Sequence, residues 1–330
     1  MVVDLSPYHI DDRLFFIGIA LLLNWLIASR SLRRVTGVAA LGLFLRRLLQ
    51  RLDHKLNRTG RSGGERGVRG FVVLLVSIAL CGLVAASLSA LTAVHPWTWL
   101  AEAAIVALFI PQRQTMEEMR AALRDLRADD LTKARQTVSR FAVRDTHTLD
   151  RHALTRAGAE HGCSSLALHI LTPLLWYALL GLPGFVAARI IIADAAIVGY
   201  DSTRYRDFGR PVRALEAFIC WLPERMAGWL VIAASFFVPK ARPLQAVKAY
   251  ANQQNRLSNP LKTGPVAACA GALSISLGGP RSVHSQRIKD GWVGTGSAKV
   301  ELTILRQAMW IYAISCLLIL ALIATLLSIL

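Results

Sequence analysis

The stretch Phe71 to Val94 reads FVVLLVSIALCGLVAASLSALTAV and contains no Asp, Glu, Lys or Arg. A helix needs about 20 apolar residues to cross the hydrocarbon core of a bilayer. Two further stretches without these charged residues, Gly162 to Ala188 and Gln307 to Leu330, also exceed that length. The sequence therefore predicts an all-α protein, a polytopic helical bundle in a membrane.

The composition of the whole chain agrees with this prediction. Of its 330 residues, 54% are hydrophobic and 18% are charged, whereas a soluble domain has about 25% charged residues. The composition excludes both an ordinary soluble domain and a disordered chain.

The distribution of basic residues favours a membrane surface over nucleic acid. The net charge is +17, and 11 Lys and Arg lie between Arg30 and Arg69 against two acids, Asp53 and Glu65. The turns 94–98 and 181–184 carry no basic residue. Cytoplasmic loops of membrane proteins are enriched in basic residues, which also attract anionic lipids. We expect membrane lipids as partners and no nucleic acid.

These patterns predict a single integral membrane domain over 1–330 in the inner membrane, with its amino terminus outside and its basic loops in the cytoplasm. The predicted spans are 14–29, 71–94, 97–111, 162–182, 185–200 and 307–330. Because Pro223, Glu224 and Arg225 interrupt the segment 214–238, a re-entrant or interfacial position is expected for it. The region 240–305 is predicted to be a Gly/Pro-rich cytoplasmic loop.

The segment 113–160 is predicted to form amphipathic cytoplasmic helices. Met116, Met119, Leu123 and Leu126 recur at helical spacing, which indicates one apolar face. The pair Asp129 and Asp130 is typical of an N-cap that starts the next helix.

Several short motifs then point to one family. The run Val198 to Arg225, VGYDSTRYRDFGRPVRALEAFICWLPER, resembles the signature of adenosylcobinamide-phosphate synthase, a membrane ligase of cobalamin synthesis. Further segments resemble that family in the same order: Arg144-Asp145-Thr146 with Leu149-Asp150, Arg156-Ala157 with Glu160, Thr172 to Trp176, Ala270 to Leu273, Leu277 to Pro280, and Trp292 to Gly294. The resemblance covers nearly the whole chain.

The resemblance implies an ATP-dependent amide ligation of aminopropanol phosphate to a carboxylate of an adenosylated corrinoid. It implies Mg²⁺ and ATP as cofactors and the corrinoid as substrate. The implied catalytic residues, which are also the candidate Mg²⁺ ligands, are Glu160, Asp145 and Glu216. The implied substrate and phosphate ligands are Arg144, Tyr200, Arg204, Tyr205 and Arg225. Acids are the usual ligands of Mg²⁺, and arginines hold phosphate.

The departures from the family pattern fall on acidic positions. Ser164, Ser165 and Leu168 stand where the family has a Glu-Asn pair and an Asp, and Ala195 and Ala217 replace two further acids. The family's Asp after the first span corresponds to Asn24 or to nothing. A second hypothesis is therefore a degenerate relative that acts as a membrane binding or regulatory subunit. A transporter is disfavoured, because the polar residues gather in the loops. A homo-oligomer or another membrane subunit stays open as a partner.

Purely structural roles compete with some of these assignments. Arg144 and Asp145 fit a salt-bridged helix connection, and Tyr200 and Tyr205 fit anchors at the lipid headgroups. The sequence Gly278-Gly279-Pro280 fits a turn better than a phosphate cradle, because no GxxxxGK[ST] helix start follows it.

The predicted topology can be tested by cysteine labelling. We expect the loops 30–69, 112–160, 201–213 and 240–305 to be cytoplasmic, so a cysteine at Ser62 or Ser285 should not react in intact cells with a reagent that cannot cross the membrane. Labelling after permeabilisation is the control. Reaction from outside at either position would overturn the layout.

Overall fold

A computed structural model of the protein describes residues 8–26, 47, 50–57, 62–92, 97–142, 144–199, 204–252, 263–283, 286–288 and 291–329. Its helices are α1 (Ile10–Leu26), α2 (Gly63–Thr92), α3 (Trp99–Phe109), α4 (Gln112–Arg127), α5 (Leu131–Val138), α6 (Arg151–Ser165), a π-helical turn (Leu166–Leu171), α7 (Thr172–Val198), α8 (Arg210–Ser235), α9 (Pro243–Asn252), α10 (Thr263–Leu273) and α11 (Leu302–Ile329). The short strands are β1 (Leu277–Gly278), β2 (Arg281–Val283), β3 (Gln286–Ile288) and β4 (Trp292–Val293). The prediction of a helical membrane bundle is confirmed.

Four helical segments are long and apolar enough to cross a membrane within the part of the chain described above. They are α2, the run Arg151–Val198, α8 and α11. The predicted spans 71–94, 162–182 with 185–200, and 307–330 fall on the first, second and fourth of these. The predicted spans 14–29 and 97–111 correspond to the shorter helices α1, of 17 residues, and α3, of 11 residues. Residues 214–235 of the segment 214–238 lie in α8, a single helix of 26 residues that ends at Ser235. The re-entrant or interfacial position of the segment stays a prediction.

The contacts divide the chain into two compact units. Unit 1 contains Met1–Pro111, Thr172–Trp221 and Ile323–Leu330, and unit 2 contains Gln112–Leu171 and Leu222–Leu322. In unit 1, α1 packs on α3 and α7, and α2 packs along α7. In unit 2, α4 packs on α5 and α6, and α9 packs on α10.

A buried carboxyl group joins three helices of unit 1. Glu102 on α3 has no exposed surface. One of its oxygens accepts hydrogen bonds from the hydroxyls of Ser89, at 3.0 Å, and Thr92, at 2.9 Å, both on α2. The other accepts from the hydroxyl of Tyr177 on α7, at 2.9 Å. Because a buried polar group is costly unless it is hydrogen-bonded, these contacts fix how the three helices pack.

The helix α7 breaks where the sequence predicts the turn 181–184. Gly181 has φ 66° and ψ −153°, a conformation that residues with a Cβ rarely adopt. Pro183 follows and has no N–H for the carbonyl of Leu179, four residues earlier. Arg13 on α1 donates to that carbonyl oxygen at 2.9 Å. A side chain from another helix therefore replaces the missing donor.

The end of α3 shows the same compensation. Pro111 removes the N–H that would have bonded the carbonyl of Ala107. Asn24, fully buried on α1, donates through its amide nitrogen to Ala107 O at 2.6 Å and to Ile110 O at 2.7 Å. The polar residue in this apolar helix thus has a structural role.

A third proline, Pro223, lies inside α8. It leaves the carbonyl of Ile219 without its helical donor. The indole Nε1 of Trp176 on α7 donates to this oxygen at 3.1 Å. Both Trp176 and Ile219 belong to unit 1.

Unit 2 contains the amphipathic helices that the sequence predicts. Met116, Met119, Leu123 and Leu126 on α4 are all buried, so the expected apolar face is the packed face. The carboxylate of Asp130 accepts a hydrogen bond from the N–H of Lys133 at 2.9 Å. This is the N-cap predicted for the following helix, α5.

Short antiparallel ladders organise the segment between α10 and α11. In β1 and β4, Leu277 pairs with Val293 and Gly278 with Trp292. The strands β2 and β3 form a second ladder. In unit 2, β1 contacts α6 and β4 contacts α10. The region 240–305, predicted as a Gly/Pro-rich loop, thus also contains the helices α9 and α10 and the start of α11.

The proline compensation can be tested with a double-mutant cycle. Trp176→Phe should destabilise the protein by about 1 kcal/mol, because the carbonyl of Ile219 loses its donor. In a Pro223→Ala background the helix regains its own N–H, so the same substitution should cost markedly less. The measurement is the free energy of unfolding in detergent for the four proteins.

A matched control for this cycle is Trp229→Phe. Trp229 lies on α8, the helix that contains Pro223, and its side chain is exposed. We expect no coupling between that substitution and Pro223→Ala. An equal cost of Trp176→Phe in both backgrounds would show that the indole does not serve the freed carbonyl.

Candidate functional site

One face of α6 packs on the glycine-rich segment of unit 2. His152, Arg156 and Glu160 are spaced four residues apart and so lie on the same side of the helix. Nδ1 of His152 lies 2.8 Å from the carbonyl oxygen of Val300, and Arg156 donates to the carbonyl oxygen of Ala298. The helix thereby places a cation and a carboxylate against the loop.

Glu160 is engaged through both carboxylate oxygens. Oε1 accepts a hydrogen bond from the N–H of Gly278 at 2.8 Å, and Oε2 forms an ion pair with Arg144. The side chains of Arg144 and Glu160 are only 8% and 15% exposed. The neighbouring Asp145 N–H donates to the carbonyl oxygen of Ser282 at 2.8 Å. These bonds hold the 144–145 segment and the glycine-rich segment together at α6.

The glycines of this loop allow an indole ring to approach the backbone. Gly278 and Gly279 both have φ +76°, and a Cβ on Gly279 would lie 2.7 Å from the ring of Trp292. The guanidinium carbon of Arg156 lies 5.4 Å from the centre of that ring, within the range of a cation–π contact. Trp292 remains 40% exposed. Arg156 and Trp292 thus form one composite surface beside Glu160.

Part of the Arg156 guanidinium has no partner in the described ranges. Its Nε is buried and makes no hydrogen bond there. A buried donor without a partner is costly. An oxyanion would satisfy this donor, and the planar guanidinium suits phosphate and carboxylate groups. We call Arg144, Arg156, Glu160, Gly278 and Trp292 the α6 site.

The positions where the family resemblance would place acids are fully used in packing. Ser164 Oγ donates to the carbonyl oxygen of Glu160 at 2.7 Å. The hydroxyls of Ser165 and Thr115 lie 2.8 Å apart in the interior, and Leu168 is buried. The substitutions therefore belong to the core of unit 2.

The residues do not fit a metal site built by the protein. Within the described ranges, no group of three or more His, Cys, Asp or Glu side chains could hold a metal ion. Both oxygens of Glu160 are already engaged. Mg²⁺ therefore lacks a ligand set of the usual kind at the α6 site.

A second polar cluster lies in unit 1. Asp53, which is 4% exposed, accepts hydrogen bonds from Arg204 at 2.9 Å, from the Tyr205 hydroxyl at 3.1 Å and from the Asn57 amide at 2.9 Å. Arg66 donates through Nε to Asn57 Oδ1 at 2.8 Å. We call these five residues the Asp53 cluster, and it ties the segment beginning at Arg204 to the residues before α2.

Asp53 also favours the protonated forms of two of its partners. Its hydrogen bond raises the pKa of the Arg204 guanidinium above the ordinary value. Burial, followed by the charge of Asp53, raises the pKa of the Tyr205 hydroxyl. Both shifts have the direction expected when a carboxylate accepts a hydrogen bond from the protonated group.

The structure divides the predicted site residues between these clusters. Arg144, Asp145 and Glu160 lie together in unit 2, and Arg204 and Tyr205 lie together in unit 1. Glu216 is buried on the part of α8 that belongs to unit 1, and Arg225 is half-buried on the part that belongs to unit 2. Tyr200 lies outside the described residues.

Sequence reasoning missed Arg156 and Asp53 as candidates. The signal for Arg156 was present, because it precedes Glu160 by four residues on a predicted helix. Asp53 was one of two acids in a strongly basic stretch, and an isolated acid among arginines commonly pairs with one of them. Its actual partner, Arg204, is 151 residues away, which no local pattern indicates.

Comparisons with known proteins give a consistent result. The family described as "CobD/Cbib protein" matches residues 17–312. The chain is 28% identical over 285 residues to "Cobalamin biosynthesis protein CobD" of Rhizobium meliloti, covering 83% of this chain and 85% of that protein. It is 30% identical over 273 residues to the protein of that name in Sinorhizobium fredii, covering 80% and 82%. The Klebsiella pneumoniae protein of that name is 28% identical over 270 residues, covering 80% and 82%.

No solved structure matches the chain. The match to the family covers far more than half of the sequence, and the matching relatives are covered over most of their own length. The chain therefore belongs to the CobD/Cbib protein family.

Proposed function

We propose that this protein acts in cobalamin biosynthesis, at the step that joins a corrinoid carboxylate to the amine of aminopropanol phosphate with consumption of ATP. The names of the matching relatives support the pathway. The observation that carries the proposal is the α6 site, where the Nε of Arg156, which makes no hydrogen bond within the described residues, lies beside an exposed indole and a glycine-rich segment. Such a site suits an anionic ligand.

The reaction forms an amide bond from a carboxylate and an ammonium group, and ATP leaves as ADP and phosphate. The carboxylate oxygen that is lost ends on the phosphate, and the amine nitrogen loses its excess protons to a base. All three ligands are anionic, so their charges must be held close together. Arg156 supplies N–H donors for this purpose, including an Nε that makes no hydrogen bond within the described residues, whereas Arg144 forms an ion pair with Glu160.

The residues divide into binding and positioning roles in this proposal. Arg156 binds a phosphate or carboxylate oxygen, and Trp292 covers one side of that ligand. Glu160 holds Arg144 and the N–H of Gly278, so it acts as a positioning residue. Asp145 and Glu216 are the acids proposed to take part in proton transfer. Arg204, Tyr205 and Arg225, with Tyr200, are proposed to hold substrate phosphate.

Mg²⁺ enters the proposal only as a companion of ATP, since the described donor set does not form a metal cage. No step of the reaction is assigned to it. The proposed location is the inner membrane with the basic loops in the cytoplasm, where ATP is present. Self-association or a second membrane subunit is compatible with this function.

The second candidate function is a binding or regulatory subunit without ligase activity. It is favoured by Ser164, Ser165 and Leu168, which stand where the family resemblance places acids and are engaged in packing. In that case the α6 site would still recognise an anionic ligand, but the protein would not turn it over.

Anion binding by Arg156 can be measured directly. Arg156→Gln should weaken binding of aminopropanol phosphate or Mg·ATP by roughly 10- to 100-fold, the cost of one charge-assisted hydrogen bond. Titration calorimetry with each ligand alone gives the affinities. Arg151→Gln on the same helix is the matched control, because Arg151 pairs with the exposed Asp129; equal weakening in the two variants would argue against a site at Arg156.

Growth of a strain that lacks its own synthase separates the two candidate functions. The intact protein should restore growth on a corrinoid precursor that needs this step. Glu160→Gln should abolish rescue, because the ion pair that places Arg144 is lost, and turnover should fall more than affinity. The exposed Glu301 gives the control, Glu301→Gln, which should rescue normally.

A different result would favour the binding or regulatory subunit over the ligase. Correctly inserted and well-expressed protein would then fail to restore growth, and the purified protein would release no ADP with aminopropanol phosphate. The calorimetric titration would still report binding of an anion in that case.

A further inference from the structure

Unit 2 also contains a cleft whose lining residues do not include any residue of the α6 site. It has a volume of about 500 Å³ and lies between α4 and the first turns of α11. The basic residues on its wall are Arg120, Arg124, Arg127 and Arg306. We call these residues, with the apolar wall described next, the arginine cleft.

The rest of the wall is apolar. Met116 and Leu123 come from α4, and Met309, Trp310 and Ala313 come from α11. Among the residues that the structure describes, no acidic one lines the cleft. Met116 and Leu123 also pack into the core of unit 2, so the floor of the cleft is fixed by the fold.

The arginines of the cleft are largely uncompensated. In the part of the chain that the structure covers, no carboxylate forms an ion pair with Arg120, Arg127 or Arg306. Arg124 contacts Asp125 at 3.4 Å, through a side chain that is 77% exposed. Four positive charges therefore surround an apolar floor, which is complementary to an amphiphile with an anionic head.

The cleft continues into the apolar surface of a candidate membrane span. Met309, Ala313 and Leu317 follow one another at four-residue spacing and so form one stripe on α11. Leu317 is 61% exposed and Trp310 is 57% exposed, and α11 is long and apolar enough to cross a membrane. Tryptophan favours the depth of the lipid headgroups. A bound molecule could thus place its head among the arginines and an acyl chain along the stripe.

We propose that the arginine cleft binds an anionic phospholipid. Its phosphodiester lies among Arg120, Arg127 and Arg306, and the first part of an acyl chain lies against Met309 and Ala313. Charge complementarity excludes a zwitterionic lipid as the preferred occupant, because its cationic group would meet the arginines. The apolar floor favours a lipid over a free phosphate, since a small anion would leave that floor exposed to water.

Lipid retention measured by native mass spectrometry tests the proposal. The full chain is purified from mixed nanodiscs that contain equal amounts of phosphatidylglycerol and phosphatidylcholine. We expect the protein to retain phosphatidylglycerol in preference. The triple variant R120Q/R127Q/R306Q should lose this preference by roughly 10- to 100-fold, as expected for three basic residues near an anionic headgroup.

A charge-matched control separates a site from general attraction. The variant R140Q/R242Q/K248Q removes the same charge from exposed positions of unit 2 and should keep the preference. A second variant, Ala313→Trp, fills the cleft without changing its charge and should also reduce retention. This variant keeps the proposal testable if the triple variant does not fold.

Four results would overturn the proposal. They are equal retention of the two lipids, an equal effect of the triple variant and its control, unchanged retention in Ala313→Trp, and displacement of the lipid by millimolar glycerol phosphate. The last result would identify a site for free phosphate. Because the readout is lipid retention, it is independent of ligase activity and of Arg156.

Discussion

Prolines within apolar helices or directly after them impose the constraint on which the packing of unit 1 depends. Each of Pro111, Pro183 and Pro223 deprives a carbonyl four residues earlier of its helical donor, and the interior of a membrane offers no water to replace it. Asn24, Arg13 and Trp176 supply the missing donors. Two of these side chains are on α1, and since 24 − 13 = 11 residues is about three helical turns, they share one face. The position of α1 is thereby fixed near both of its ends.

The same constraint explains one departure from the family pattern. In the family resemblance, an acid corresponds to Asn24 or to nothing. An ionised carboxylate accepts hydrogen bonds but cannot donate one. Asn24 donates to two carbonyl oxygens, a task that an ionised aspartate cannot perform. The loss of an acid here is coupled to the gain of a helix cap, so it carries no information about catalysis.

Local patterns were sufficient to predict much of the fold. The buried face of α4, the cap at Asp130 and the break at Gly181 each follow from residues within a few positions of one another. The candidate site was predictable only in part. The ion pair of Arg144 with Glu160 joins motifs 16 residues apart, whereas the bonds from Glu160 to Gly278 and from Arg204 to Asp53 span 118 and 151 residues. Periodicity and capping describe residues that are close along the chain. They do not predict contacts between residues that meet only through tertiary packing.

The engagement of Glu160 limits what its α6 site can do. A carboxylate that accepts hydrogen bonds from a backbone N–H and an arginine has less capacity left to bind a metal or to take a proton. Its removal would leave the buried side chain of Arg144 without this ion pair. The proposed recognition of an anion therefore rests on Arg156, whose guanidinium contacts Ala298 and Trp292 and whose Nε makes no hydrogen bond within the described residues. Recognition of an anion is thus common to the ligase and to the regulatory subunit. The two functions differ in whether an acid outside this ion pair, such as Asp145, can take the proton that amide formation releases.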